Sequence, residues 1–321
     1  MLLTGPPPSL PERIRTDEAD VLMLPDGRAL AYLEWGDSTG YPAFYFHGTP
    51  SSRLEGAFAD GAARRTGFRL IAIDRPGYGR STFQAGRNFR DWPADVCALA
   101  DAFELEEFGV VGHSGAGPHL FACGAVIPRT RLAFVGALGP WGPLATPDIM
   151  RSLNAADRCY ARLARSGPRL FGALFAPLGW CAKYTPGLFS TLLAAAVPAA
   201  DKHLLSDERF GRHLRAIQLE AFRQGSRGAA MNHFCNFGRG VSTSPRWPCL
   251  PISGWVIVTP SCHAPWANTC SARFRTLICT GRTARAISTS KTGMRSSPRV
   301  PWTSASAAAA SLRRLTVPIR A

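Results

Sequence analysis

The chain has 321 residues, 46% of them hydrophobic and 10% aromatic, which suits one large α/β domain with an insertion, or two modest domains, in a globular, soluble protein. No apolar run approaches the roughly 20 residues of a membrane span, so a helical membrane protein is excluded. The formal net charge of +15 points toward nucleic acid or an acidic surface as partner, but its distribution along the chain argues against both.

The N-terminal stretch MLLTGPPPSLPERIRTDEAD has no basic start, apolar run and small-residue cleavage site, so no secretory signal is visible and a cytoplasmic location is expected. Val21–Leu24 and Arg28–Trp35 flank the turn Pro25-Asp26-Gly27 with alternating apolar residues, the pattern of a hairpin. Ala43–Phe46 and Arg69–Ile73 are short apolar runs that predict buried strands. The first ends at His47-Gly48-Thr49-Pro50 and the second at Asp74-Arg75-Pro76-Gly77-Tyr78-Gly79-Arg80-Ser81. Apolar spacing of three and four predicts a helix over Phe89–Leu105. A strand over Phe108–Gly112, a helix over Pro118–Val126 and a strand over Leu132–Leu138 follow. Strands alternating with helices imply a mostly parallel sheet with helices on both faces, and such sheets bind ligands at the carboxyl ends of their strands. All three glycine-bearing motifs fall there.

Between the strand over Phe108–Gly112 and the helix over Pro118–Val126 lies Gly112-His113-Ser114-Gly115-Ala116, a small-residue turn of the G-x-S-x-G kind. Small residues at 112 and 116 permit the sharp turn that lifts a serine Oγ above the sheet, and the N–H of Gly115 points where an oxyanion forms. With His47-Gly48-Thr49-Pro50 and Asp74 to Ser81, this order of motifs resembles the α/β-hydrolase superfamily over roughly residues 20–144. The resemblance implies Ser114 as nucleophile, Thr49 and Gly115 as N–H donors of the oxyanion hole, and His47 and Gly48 as support for the loop. It implies no cofactor or metal, and assigns the segment from Asp74 to Ser81 no chemistry. A serine at the elbow argues against the dehalogenase and epoxide-hydrolase branches, which use Asp there. The reaction class implied is acyl transfer through a covalent acyl-enzyme, on a small ester or amide substrate.

Residues 145–230 are interrupted by Pro168, Pro177, Pro186 and Pro198 and resemble the helical cap of this family. Leu170, Phe171, Leu174, Phe175, Trp180, Phe189 and Leu192 would line an acyl pocket there, or serve as core between the cap helices. In the family the triad acid follows a strand beyond the cap and the histidine follows the last strand. All 22 acidic residues lie at or before Glu220, whereas residues 221–321 carry 14 of the 37 Lys and Arg and five of the nine cysteines. At the earlier frequency about ten acids are expected there. The only histidines beyond the cap helices, His233 and His263, sit in no family-like context, and Asp148 is a weak substitute for the acid. No triad Asp or His is identifiable.

Residues 231–321 therefore read as an aberrant basic tail in place of the last strands and helices. A disordered polyanion-binding extension is one explanation, but Trp247, Trp255, Trp266 and Trp302 and the scattered basic residues count against it. Translation out of frame is the other. If each codon is read as the third base of one residue's codon and the first two of the next, Gly240–Ala264 can read GFDLAEVAMPAYIWVGDRDTFVPR and Thr283–Ser296 can read GKGHFNIENWDEI. These supply a G-D-x-D acid loop and a histidine after a glycine, in the family's order. The expectation is a chain poorly folded beyond about residue 230, with one sheet edge exposed. Scattered cysteines without a C-x-x-C pair suggest neither disulfides nor zinc, and Cys97, Cys123, Cys159 and Cys181 read as apolar fillers. The alternatives are an aminopeptidase of the proline-iminopeptidase kind, with Glu220 or Asp207 as the acid that would capture a substrate amine, or a non-catalytic hydrolase-like protein with a polyanion-binding basic tail.

Overall fold

The computed structural model describes residues 18–141, most of 151–192, residues 207–237, and the backbone of five strands between 255 and 301. The strands are β1 (Asp20–Met23), β2 (Ala29–Gly36), β3 (Tyr41–Phe46), β4 (Phe68–Ile73), β5 (Phe108–His113), β6 (Leu132–Leu138), β7 (Trp255–Val258), β8 (Arg275–Thr280), β9 (Thr283–Ser290), β10 (Gly293–Ser296) and β11 (Val300–Pro301). The helices are α1 (Ala57–Thr66), α2 (Trp92–Ala102), α3 (Gly117–Val126), α4 (Ala155–Ala164), α5 (Pro168–Tyr184), α6 (Glu208–Ala221) and α7 (Arg227–Phe237). The sheet order is β1-β2-β4-β3-β5-β6-β7-β8-β9-β10, with β11 beside β9. β1, β2 and β4 pair antiparallel. From β4 through β3, β5, β6 and β7 to β8 every pair is parallel.

The central strands are apolar on both sides because both faces are covered. Along β3, Phe44 and Phe46 enter one core with Ile71, Ile73, Trp92, Phe108 and Val110, while Ala43 and Tyr45 enter the opposite core with Leu70, Ala72, Leu54 and Ala57. This is the period of two expected of a strand, filled with hydrophobic residues in both phases. The first core packs α2 and α3 on one face, and the second packs α1 on the other, with Ile217 of α6 joining it.

The observed ends of β2 to β6 and α3 lie within two residues of the sequence expectation, and α2 is shorter at both ends. α1 is an addition: AFADGAARRT is too rich in Ala and Gly to show an apolar stripe. α7 crosses the expected boundary at 230 and runs to Phe237, with Asn232, His233 and Cys235 buried. The edge of β6 is not left open, since β7 pairs with it in parallel. Beyond β8, however, β9 and β10 return antiparallel, unlike the strand and helix alternation of the first half.

Candidate active site

β3 and β5 are parallel neighbours paired with Phe46 opposite Gly112, so their carboxyl ends deliver His47–Pro50 and His113–Ala116 side by side. Ser114 follows β5 at φ 52°, one of two described non-glycine residues at positive φ. A serine is held there only when its surroundings fix it, because the left-handed region is strained for a side chain with Cβ. The surroundings are tight. A Cβ on Gly112 would lie 2.6 Å from the Phe46 carbonyl oxygen, and one on Gly115 would lie 2.7 Å from Thr49 Cβ and 3.2 Å from Thr49 N. The loops that carry Thr49 and Gly115 thus touch, and only a missing side chain at 115 allows it.

Each of the two peptides that would offer an N–H here is bonded from behind. The Ser114 carbonyl, which shares its peptide with the Gly115 N–H, accepts from Trp141 N at 2.8 Å. The Gly48 carbonyl, which shares its peptide with the Thr49 N–H, accepts from Arg75 Nη2 at 2.7 Å. His47 is wholly buried and its tautomer follows from its partners: Nε2 accepts from Arg75 N at 3.1 Å, so Nδ1 carries the hydrogen and donates to the Gly48 oxygen at 2.8 Å. Burial, then the charge of Arg75, holds its pKa well below the usual histidine value. A neutral, doubly bonded imidazole under the loop is a prop.

Two groups invisible as functional in the sequence complete this shell. Glu55, in a turn of 3₁₀-helix over Arg53–Gly56, accepts from Gly48 N at 3.1 and 3.2 Å, from the Tyr45 hydroxyl at 2.7 Å, and from His113 Nδ1 at 3.1 Å. Burial pushes its carboxyl up, but the hydrogen bond from His113 and the charge of His113 outweigh this and hold it at about 2. Burial lowers His113 in turn, and Glu55 more than compensates, leaving it above the ordinary value. Asn232 of α7 donates from Nδ2 to Thr49 Oγ1 at 3.1 Å and accepts from Arg75 Nη1 at 2.9 Å. The D-R-P-G-Y-G-R-S segment thus contributes a guanidinium to the site, although its pattern gives no sign that Arg75 turns inward.

Other candidates fall elsewhere. His233 is buried against Trp141, Tyr160 and Phe171 at ring separations of 4.9, 5.4 and 5.1 Å. Burial, then the charge of Arg75, lowers it to about 3, which leaves it a poor base at neutral pH. Glu220 does not await a substrate amine: it accepts from Arg53 Nη1 at 2.6 Å and Arg223 Nε at 2.8 Å, and Arg53 also pairs with buried Asp74 at 2.7 Å. Asp207 caps α6, accepting from Arg209 N and Phe210 N. Of the proposed acyl-pocket residues, Phe171 and Phe189 are buried, while Leu170, Trp180 and Leu192 face solvent. Cys159 is exposed on α4, so it fills no core, whereas Cys123 is buried. The side chains of Leu174 and Phe175, and Asp148 and His263 entirely, lie outside the described residues. Among the described residues no helix is long and apolar enough to cross a membrane.

A family model described as the alpha/beta hydrolase fold matches residues 42–161. The chain is 36% identical over 93 residues to a non-heme chloroperoxidase of Streptomyces lividans, a match covering 29% of this chain and 34% of that protein. It is 32% identical over 93 residues to a bifunctional esterase/perhydrolase of Acinetobacter calcoaceticus, with the same two coverages. These matches span about a third of the relatives' length. The structure of an epoxide hydrolase without ligand superposes with a TM-score of 0.61 at 18% identity, covering 82% of this chain and 90% of that one, a likeness of fold alone. With its sheet order, its serine at positive φ between β5 and α3, and the family model that matches residues 42–161, the chain has the α/β-hydrolase fold.

Proposed function

We propose that the chain is built as a serine hydrolase of small carboxylic esters, working through an acyl-enzyme on Ser114. The observation that carries this is Ser114 held at φ 52° beside the peptides of Thr49 and Gly115. A strained, lifted Oγ attacks the ester carbonyl as its proton passes to the triad histidine, the Thr49 and Gly115 N–H groups receive the charge that develops on the carbonyl oxygen, the alcohol leaves with that proton, and water then hydrolyses the acyl-enzyme. The ring cluster of Trp141, Tyr160, Phe171 and His233 would form an apolar wall against the acyl chain. The esterase name of one relative agrees with this choice of substrate. The aminopeptidase alternative loses its two named acids to structural bonds.

The chain as translated is impaired, because no acid exists after Glu220 to orient a histidine. We attribute this to one missing base. Asn232 meets both Arg75 and Thr49, and Cys235 Sγ donates to the Arg87 carbonyl at 3.2 Å, contacts that support the original frame through residue 235 on this reading. The junction then falls between Cys235 and Gly240, ahead of the shifted acid and histidine motifs. The triad Asp codon straddles Val256–Ile257 or Val258–Thr259, and the His codon straddles Ala286–Ile287.

Restoring one base there should raise hydrolysis of p-nitrophenyl acetate by at least about 10⁴-fold over the chain as translated, because loss of a triad leaves only the residual catalysis of the oxyanion hole and binding. Ser114→Ala in the restored chain should remove that gain. Strong Ser114-dependent turnover by the unrestored chain, or no gain on restoration, contradicts the proposal.

A further inference from the structure

A guanidinium lies beneath the elbow that the serine chemistry above does not use. Arg75 is fully buried. Its Nη2 donates to the Gly48 carbonyl and to Thr49 Oγ1, both at 2.7 Å. Its Nη1 donates to the Gly115 carbonyl at 3.1 Å and to Asn232 Oδ1 at 2.9 Å, with His119 Nδ1 at 3.3 Å. Every one of these partners is neutral, and among the described residues no carboxylate bonds to Arg75. The contrast with Arg53 is sharp, since that equally buried guanidinium is bonded to the carboxylates of Asp74 and Glu220.

Burying an uncompensated cation is costly, and a fold that needed only a rigid loop would do better with a neutral donor. Burial lowers Arg75 to about 10, so the group stays charged at neutral pH. His119 and His47, which touch it, are both pushed well below the ordinary value by burial, then by Arg75, and add no charge of their own, while through space Arg87 opposes the charge and Glu55 favours it. What Arg75 lacks is an anion bonded to the guanidinium itself, since the Glu55 carboxylate is bonded to Gly48 N and acts on Arg75 only through space. The peptide that Arg75 bonds most closely, Gly48–Thr49, is the one whose N–H faces the site where an anion would form.

We propose, resting on the Ser114 reading above, that Arg75 is the positioning residue that gives the oxyanion hole a standing positive charge, polarising the Gly48–Thr49 peptide and anchoring Gly115. A dipole bonded from behind by a cation donates more strongly from its other end. An anion between Thr49 and Gly115 is thereby favoured over a neutral ligand of the same shape.

Butyrate and butyramide differ in charge and hardly in shape, so ligand-observed NMR titration of each into the full chain separates field from form. In Arg75→Gln or Arg75→Met, butyrate should bind at least about tenfold more weakly with butyramide unchanged, and Arg75→Lys should restore butyrate to within about threefold. Gln keeps a donor without the charge and serves as the second neutral variant if Met does not fold, which circular dichroism reports. Equal losses for both ligands, no loss, or no butyrate binding by the unsubstituted chain would overturn the proposal. Gly115→Val, whose side chain meets Thr49, should abolish butyrate binding. If binding survives it, the anion sits elsewhere, and the reading of the Ser114 site fails rather than the role of Arg75.

Discussion

Ser114 and its neighbours show how local strain is held in place by bonds on all sides. Its carbonyl is fixed by Trp141, the facing loop by Arg75 and His47, and the opposite side of that loop by Glu55. The Glu55 and His113 pair makes this support pH-dependent. Glu55 is depressed to about 2, so its contribution is complete above its ordinary value of 4.5 and is lost as pH falls below that. His113 is raised above 6.5, so its contribution is complete below 6.5 and is lost as pH rises through its folded value. The pair therefore stabilises most between those two values. Because His113 is about half exposed, solvent screening keeps the effect small. Buried His47, His119 and His233 stay neutral in the fold and so favour pH 8.5 over pH 5.5, while the pair opposes them; Glu55→Gln should therefore widen the Tm difference between pH 8.5 and 5.5 in melting curves of the full chain by about 1–3 °C. An unchanged difference in the variant removes the pair from the account.

At the scale of elements, β3 carries the most weight, because it is central and packed on both faces. Phe44 meets Phe108 edge-on with ring centroids 5.0 Å apart, in the core under α2 and α3. Phe44→Ala should cost about 3–5 kcal/mol of unfolding free energy in urea titrations, with little change if the ring is not the core member described. Such strands are legible in sequence, since a run like AFYF bounded by turn residues leaves few other assignments. The motif loops are legible for the same reason, as chemistry at the end of a strand needs small residues. The Asn232 contact is not: it joins residues 183 apart through the docking of α7, and nothing local in RGAAMNHFCNF marks one polar residue as inward-facing. Glu55 is hidden likewise, because a carboxylate in a short turn usually faces water, and only the closeness of β3 to β5 turns it toward Gly48. The exposed Trp180 and Leu192 fail in the opposite sense, since an apolar residue on a cap helix need not line a pocket.

On the scale of the molecule, two compositions meet in one chain. The core and cap are joined by buried contacts that span the sequence, such as Arg53 with Glu220 and Ser52 Oγ with the Ile217 carbonyl at 3.1 Å. Beyond residue 237 the sheet continues through β7 and β8 in the direction of the core and then folds back on itself, in a stretch without a single acidic residue. On the proposed function, the nucleophile and the oxyanion peptides belong to the first part, and the groups that would activate the nucleophile belong to the shifted reading of the second. The most direct test is covalent: a fluorophosphonate reagent is incubated with the frame-restored chain and with the chain as translated, and the adduct is mapped by peptide mass spectrometry. A single adduct on Ser114 in the restored chain, formed at least about 100-fold faster than in the chain as translated, is the predicted result. An adduct on another residue, or a restored chain that takes up no label, would contradict the assignment of Ser114 as the nucleophile.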